Sequence, residues 1–360
     1  MEFGLSKEQA LLQDSVGRYL DRSASLARVK RFVDDHEEHA ADVWAGLCDL
    51  GLPGMLIDEE HGGIGLSLLD AAFVAETLGS RVAPAPFVAT VAMAPIAIAS
   101  AGSEIQQARW LPALADGSII AGAALTEAVS SRQGAGVRWD GSTLNGNALF
   151  VLDFAAQLYL VADENRALYL VEANAPGLVR QTLTTIDRTR RVGELVFDHV
   201  AAELLPGSSD PEACARVIDA GRILLAADTL GAAQHMQNRA VAYSKERVQF
   251  GRVIGSFQAV KHMCAKMAAE LEPCRAMMWY AAHAFDAIAD EARLTACHAK
   301  AHVSEVGTFV ARTATEVHGG IGFTDELGLH LWFKRIGANR QLLGGPDRAR
   351  EEAAGLQGLV

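Results

Sequence analysis

Apolar residues recur at helical spacing through the first 118 positions. Leu12, Val16, Tyr19 and Leu20 fall at i, i+4, i+7 and i+8, one face of a helix. Ser6, followed three residues later by Gln9, has the pattern of a capping box at its start. Trp44, Leu47 and Leu50 form a second apolar face, stopped by Gly51 and Pro53. The apolar run 87–101 contains Pro95 and, at about fifteen residues, falls short of the ~20 needed to span a bilayer, so it predicts a buried helix. The glycine-rich stretch 59–65 precedes a helix expected over 68–78. No strand precedes it, so a dinucleotide-binding turn is excluded and its role is structural.

The pattern changes near Ile119. Leu158, Leu160 and Ala162 alternate, as do Leu168 with Leu170 and Leu195 with Phe197. Turn signals at Asp140-Gly141, Asn145-Gly146, 163–165 and 175–177 separate them, which predicts an antiparallel sheet or barrel. Pro206-Gly207 to Asp210-Pro211 marks a boundary. Beyond it, residues 212–247 carry no proline and read as one long helix. Val260, Met263, Cys264, Met267 and Leu271 lie on one stripe, and another helix is expected over 293–317. The prediction is an α+β fold in three parts: a helical domain over 1–118, a β-domain over 119–205 and a helical bundle over 206–360.

Composition narrows the function. Half of the 360 residues are hydrophobic, enough for a large core, and the net charge of -12 argues against a nucleic-acid surface, which needs a basic patch. The cluster Arg188, Arg190 and Arg191 reads as a solvated loop. Five scattered cysteines without a C-x-x-C pair exclude a disulfide framework and a zinc site and suggest a reducing, cytoplasmic setting. The start Met-Glu-Phe-Gly is unlike a secretory signal, and no membrane span is expected. His298 and His302 stand at i, i+4 but lack an H-E-x-x-H context, so no metal is expected; Ser130 and Ser131 lack a nucleophile-elbow setting.

The most informative stretch is 245–263. Arg247 closes the long helix, the chain turns through Phe250-Gly251 and Gly255-Ser256, and a helix restarts at Phe257-Gln258. Arginine supplies a planar fork of N–H donors suited to phosphate, glycine permits close backbone approach, and a helix start favours negative charge. On spacing alone, a plain helical hairpin with a solvated arginine is the better account. The order R-x-x-F-G, then F-Q-x-x-x-H, resembles the signature of the acyl-CoA dehydrogenase family. Residues 316–326, with Gly319, Gly320 and Phe323, resemble that family's late Gly-Gly-x-Gly-Phe segment, and Leu125-Thr126-Glu127 resembles its flavin-contacting strand end. The likeness covers essentially the whole chain.

The resemblance implies the family's fold (an N-terminal helical domain, a middle antiparallel β-domain and a C-terminal four-helix bundle) and FAD as cofactor. It also implies an acyl-CoA substrate and an electron-transfer flavoprotein or similar acceptor. The reaction it suggests is α,β-dehydrogenation: a carboxylate removes the weakly acidic α-proton and the β-hydrogen leaves as hydride to the flavin. Family members carry that carboxylate at one of two places. Here one falls on Gly221, just before Arg222, and the other near Leu343; neither can take a proton. Asp219 lies about 200° around the helix from Gly221 and Asp228 nearly two turns away.

The resemblance further implies that Arg247, Phe250, Gln258, Gly319 and Gly320 reach across a subunit interface to the dinucleotide end of a neighbour's FAD. In this chain's own half-site, Leu125 and Thr126 are kept. After Glu127, however, Ala128-Val129-Ser130-Ser131 replaces the family's Pro and Gly-Ser-Asp, and 149–152 replaces its Trp-centred wall; Glu316 stands where the family has Gln. Some bacterial members pair a base-bearing subunit with a base-less one, as in steroid side-chain catabolism, and 342–346 resembles the base-less partners. The chain is therefore expected to be the non-catalytic subunit of a hetero-oligomer. The alternatives are a homotetrameric dehydrogenase with a displaced base and a flavin-free assembly subunit.

Overall fold

In the computed structural model, residues 4–130 and 132–360 are described; Met1–Phe3 and Ser131 lie outside them. The first helices are α1 (Lys7–Ser23), α2 (Leu26–Asp34), α3 (Ala41–Asp49) and α4 (Leu68–Ser80), followed by a π-helical segment (Val88–Met93) running into α5 (Ala94–Ala101), and α6 (Glu104–Ala115). Ser6 and Gln9 form the capping box expected at the start of α1. The apolar run from Phe87 is buried along nearly its whole length. Leu50 departs from its expected place: α3 ends at Asp49 and Leu50 is exposed, because the chain turns there through Gly51 at a left-handed φ of 74°. In the glycine-rich loop, a Cβ on Gly63 would lie 1.9 Å from the Ile57 carbonyl oxygen, which requires glycine on packing grounds alone.

The sheet contains β1 (Ala121–Ala124), then after a single helical turn α7 (Thr126–Val129), β2 (Gly136–Trp139), β3 (Leu144–Leu152), β4 (Leu158–Ala162), β5 (Leu168–Glu172), β6 (Leu178–Thr182), β7 (Val192–Val200) and β8 (Glu203–Leu204). Its order is β6-β7-β3-β1-β4-β5-β8, with β2 on β3. All pairs are antiparallel except β1 with β4, which run parallel, Ala121 opposite Leu158. The antiparallel expectation holds for the hairpins, but β1 and β4 are joined by the β2–β3 excursion, which returns the chain in the same direction. All five residues of β4 are buried, so its alternation does not separate core from solvent there. β3 breaks register between Ala148 and Val151, where Phe150 takes a φ of 54°. Such bulges re-aim side chains, and this one faces the end of β1.

The C-terminal part contains α8 (Pro211–Glu246), a ribbon β9 (Val248–Gln249) with β10 (Arg252–Val253), α9 (Gln258–Ala287), α10 (Ala289–His318), α11 (His330–Gln341) and α12 (Pro346–Leu356). Three long helices and α11 make the four-membered bundle, and α12 packs on α10. Helices α4 and α8 approach backbone to backbone. A Cβ on Gly79 would lie 2.0 Å from the Asp228 carbonyl oxygen, and one on Gly231 would lie 1.8 Å from that of Glu76. This contact fixes the N-terminal helices on the middle of α8, where Gly221 and Asp228 sit.

Candidate functional site

The two positions at which a base was expected meet in space. A Cβ placed on Gly221 would lie 2.5 Å from Leu343 Cδ1 and 2.9 Å from Met93 Sδ. Leu343 is 1 % exposed and adopts a φ of 54°, a conformation that leucine holds only when its surroundings over-determine it. Arg222 contributes: its Nε donates to the Leu343 carbonyl oxygen at 2.9 Å, while its Nη atoms donate to Glu352 at 2.6 and 3.0 Å. Burial works against the Glu352 charge, but the Arg222 hydrogen bonds together with the charges of Arg222, Arg348 and Arg293 hold that carboxyl below its usual range. Asp219 faces this ion pair, 3.6 Å from Arg222 Nη1, and burial, only partly offset by Arg222, pushes it up to about 7. Leucine and methionine thus fill the place where both base positions converge, and the nearest acids are turned onto arginine.

The end of β1 is closed as well. Leu125 is fully buried, and Thr126 Oγ1 donates to the Phe150 carbonyl oxygen at 3.4 Å. Glu127 folds back to accept the Leu149 N–H at 3.1 Å; burial nevertheless pushes its carboxyl up. The Arg132 guanidinium lies 4.4 Å over the Phe150 ring. Val129 touches both the segment between α11 and α12 and the first turn of α12: a Cβ on Gly344 would lie 2.9 Å from Val129 Cγ1, and Arg348 Nε donates to the Val129 carbonyl oxygen at 3.1 Å. Thr126, Glu127 and Val129 are thus engaged with the β3 bulge and with the residues around Gly344 and Arg348. Of the Ala128–Ser131 replacement, Ser131 lies outside the described residues.

The far end of α8 is open. Arg247 caps it, its N–H donating to the Tyr243 carbonyl oxygen and its own carbonyl accepting from Ile254 N at 2.8 Å. This turns the chain back into α9 through the ribbon, with Phe250 at φ 53° and Gly251 at φ 75°. Phe250 is 91 % exposed and meets Phe257 edge-on at 6.2 Å. One turn before Arg247, Tyr243 stacks on His318 at 4.8 Å, so Gly319 and Gly320 emerge beside the same corner. A Cβ on either glycine would meet no atom within 4 Å. The exposed side chains of Arg247 and Gln258 have no hydrogen bond or ion pair among the described residues. Arginine without a counter-ion, an exposed aromatic, a helix start and open glycines fit a dinucleotide's phosphates and adenine. Twenty-six residues separate Gly221 from Arg247, roughly 39 Å of helix at ~1.5 Å per residue. The five residues therefore assemble into one corner remote from Leu125 and Thr126.

One cluster was misread from the sequence. Arg188, Arg190 and Arg191 do not form a solvated loop. Arg190 is buried, donating to Asn339 Oδ1 at 2.6 Å and Asp228 Oδ2 at 3.1 Å. Arg335 bridges the same Asp228 and Asp187, at 3.1 and 3.0 Å, and Lys300 donates to the Asn339 carbonyl oxygen. A run of like charges reads as solvated because its partners lie far along the chain; here they come from α8 and α11. Asp187, three residues before Arg190, was the local signal that a compensating network was present. Among the described residues no group of His, Cys, Asp and Glu could hold a metal, and no helix is long and apolar enough to cross a membrane.

Comparison with known proteins places this geometry. Residues 6–118 match the family model "Acyl-CoA dehydrogenase, N-terminal domain" and residues 212–353 match "Acyl-CoA dehydrogenase, C-terminal domain". The chain is 31 % identical over 361 residues to acyl-CoA dehydrogenase IpdE2 of Mycolicibacterium smegmatis, covering 99 % of this chain and 100 % of that one. It is 32 % identical to IpdE2 of Mycobacterium tuberculosis, covering 94 % of each. Among solved structures, a variant of the Tcur3481–Tcur3483 steroid ACAD superposes with a TM-score of 0.88 at 31 % identity, over 98 % of both chains. The ChsE4–ChsE5 complex of Mycobacterium tuberculosis shares the fold with a TM-score of 0.90 at 24 % identity, over 100 % of both chains.

Proposed function

From the premise that this chain belongs to the acyl-CoA dehydrogenase family, a family of FAD-dependent oxidoreductases, we propose that it is the base-less subunit of a hetero-oligomeric acyl-CoA dehydrogenase. The observation that carries this reading is the meeting of Gly221, Leu343 and Met93 at the place where a base would stand. The nearest atoms there among the described residues belong to Leu343 and Met93, not to a carboxylate, and Arg222 holds both Leu343 and Glu352 in place. The open corner supports the other half of the role. Arg247 and the start of α9 offer N–H donors to phosphate, Gly319 and Gly320 admit it closely, and Phe250 gives an apolar face. When bound in the partner's site, FAD supplies the hydride acceptor. This chain binds and orients the dinucleotide end and excludes water from it, while proton abstraction belongs to the partner. The domain limits near 118 and 205 follow the same assignment. The steroid ACAD relationship makes steroid-derived acyl-CoA thioesters the first substrate class to test, with an electron-transfer flavoprotein as acceptor.

The test is co-expression with a base-bearing relative. The chain alone should be colourless or nearly so and inert toward acyl-CoA. With its partner it should yield a yellow complex that bleaches on substrate addition. Turnover by the chain alone at the rate of the complex would eliminate the proposal.

A further inference from the structure

The arginine cluster around Arg190 faces a cleft that neither the base positions nor the open corner uses. It lies between the α2–α3 loop and the segment from β6 to the start of β7, with a volume of about 810 Å³, within the range of small-molecule sites. Arg180, Arg188, Arg190 and Arg191 line it, together with Thr182 and Thr184. Among the described residues the acids on its wall are Glu38 and Asp187, and Asp187 is already paired with Arg335 at 3.0 Å. In a chain of net charge -12, this is a local excess of positive charge.

These arginines are held in place before any ligand arrives. Arg188 donates to the Val33 carbonyl oxygen at 2.8 Å, and Arg191 Nε donates to that of Glu37 at 2.6 Å, with its guanidinium 4.9 Å over Phe32. Arg180 lies over the rings of Phe154 and Tyr159, at 5.6 and 5.8 Å. Arg180, Arg188 and Arg191 have no carboxylate within ion-pair distance among the described residues. The Arg190 side chain is only 6 % exposed, yet its Nε has no hydrogen-bond partner, and neither does the buried Nη2 of Arg191. A buried N–H left unmade costs about 1–3 kcal/mol, more on a charged group. Burial and the neighbouring Arg335 both oppose the Arg190 charge. An anion in the cleft would offset the positive charge that burial and Arg335 leave under-compensated around Arg190.

We propose that this cleft binds a phosphate-bearing small anion carrying at least two linked phosphates, the chemistry that several guanidinium forks match best. The site is independent of the flavin-completing role: it adjoins the N-terminal helices, while Arg247 stands at the far end of α8. The source is a nucleotide diphosphate or free inorganic pyrophosphate.

The test is calorimetric titration of the full chain, alone and in its complex, with inorganic pyrophosphate and separately with ADP. Saturable binding is expected, weakening at least about tenfold in Arg180→Gln and in Arg188→Gln, since each removes charge-assisted bonds. Arg180→Gln is an exposed change and reads the site even if Arg188→Gln disturbs the Val33 contact. Arg247→Ala should leave this binding unchanged, and Arg180→Gln should leave the flavin content of the complex unchanged. ADP binding more tightly than pyrophosphate identifies the nucleotide as the source, and equal affinities identify free pyrophosphate. Absence of heat with both probes at about 5 mM, or affinity unaltered in Arg180→Gln, or binding abolished by Arg247→Ala, would overturn the proposal.

Discussion

The two ends of α8 come from one continuous helix and have opposite characters. Near Gly221 every surface is committed: leucine and methionine fill the space, arginine is bonded to carbonyl and carboxylate, and α7 touches the segment before α12. Near Arg247 almost nothing is committed: an arginine and a glutamine lack partners, a phenylalanine stands 91 % exposed, and two glycines face open space. Packing that stabilises one chain leaves no room for a ligand, whereas exposed, unpaired groups cost stability and persist where a second molecule uses them. On the proposed reading, one end stabilises the chain itself and the other serves a neighbour.

The sharpest way to break the comparison is to remove Arg222. Arg222→Ala leaves Asp219 without its arginine, leaves Glu352 only the Arg348 contact at 3.3 Å and frees the Leu343 carbonyl, so about 3–5 kcal/mol of stability should be lost in denaturant unfolding. A loss under about 1 kcal/mol would mean that the closed end does not hold the fold. Arg247→Ala should do the reverse. Thermal stability of the chain should stay nearly unchanged, within about 0.5 kcal/mol, while flavin content of the co-expressed complex, read by visible absorbance, drops severalfold; Phe250→Ala should act the same way. Unchanged flavin occupancy in both variants would leave the chain with an assembly role only.

Gly221→Ala should destabilise by about 1–3 kcal/mol through overpacking against Leu343 and Met93. Adding Leu343→Ala should recover part of that loss, and strictly additive effects would separate two positions that here touch. Asp219 gives a smaller, pH-dependent effect. Its folded pKa is raised to about 7, above the ordinary value of 3.8. The protonated form is therefore favoured by folding, and this contribution is complete below about 4 and fades as pH rises through about 7. Asp219→Asn removes the titration, so the melting temperature of the variant should gain on the parent chain between pH 5 and pH 8; a gap that does not vary with pH would refute it. Gln258→Ala, which removes one exposed amide, should lower flavin retention least of all.

Much of the fold was legible because it depends on local pattern. The Ser6–Gln9 cap, the apolar period of α1 and the proline-free length of α8 each specify an element without reference to the rest of the chain. The candidate corner was legible for a similar reason, since Arg247, Phe250 and Gln258 share one turn. Leu50 and β4 were misjudged because exposure depends on what covers a residue. The parallel β1–β4 pair was hidden because strand direction depends on how the chain returns. Arg190 was misjudged because Asp228 and Asn339, its partners, arrive from helices remote in sequence.

By itself the sequence determined that Gly221 and Leu343 cannot accept a proton and that the Arg247 corner carries phosphate-binding residue types, because side-chain chemistry travels with the residue. Only the tertiary structure decided that Gly221, Leu343 and Met93 fill one volume, that α7 closes against the segment before α12, and that Tyr243 and His318 bring two distant motifs to one corner. Those are matters of distance between segments, and distance is set by packing.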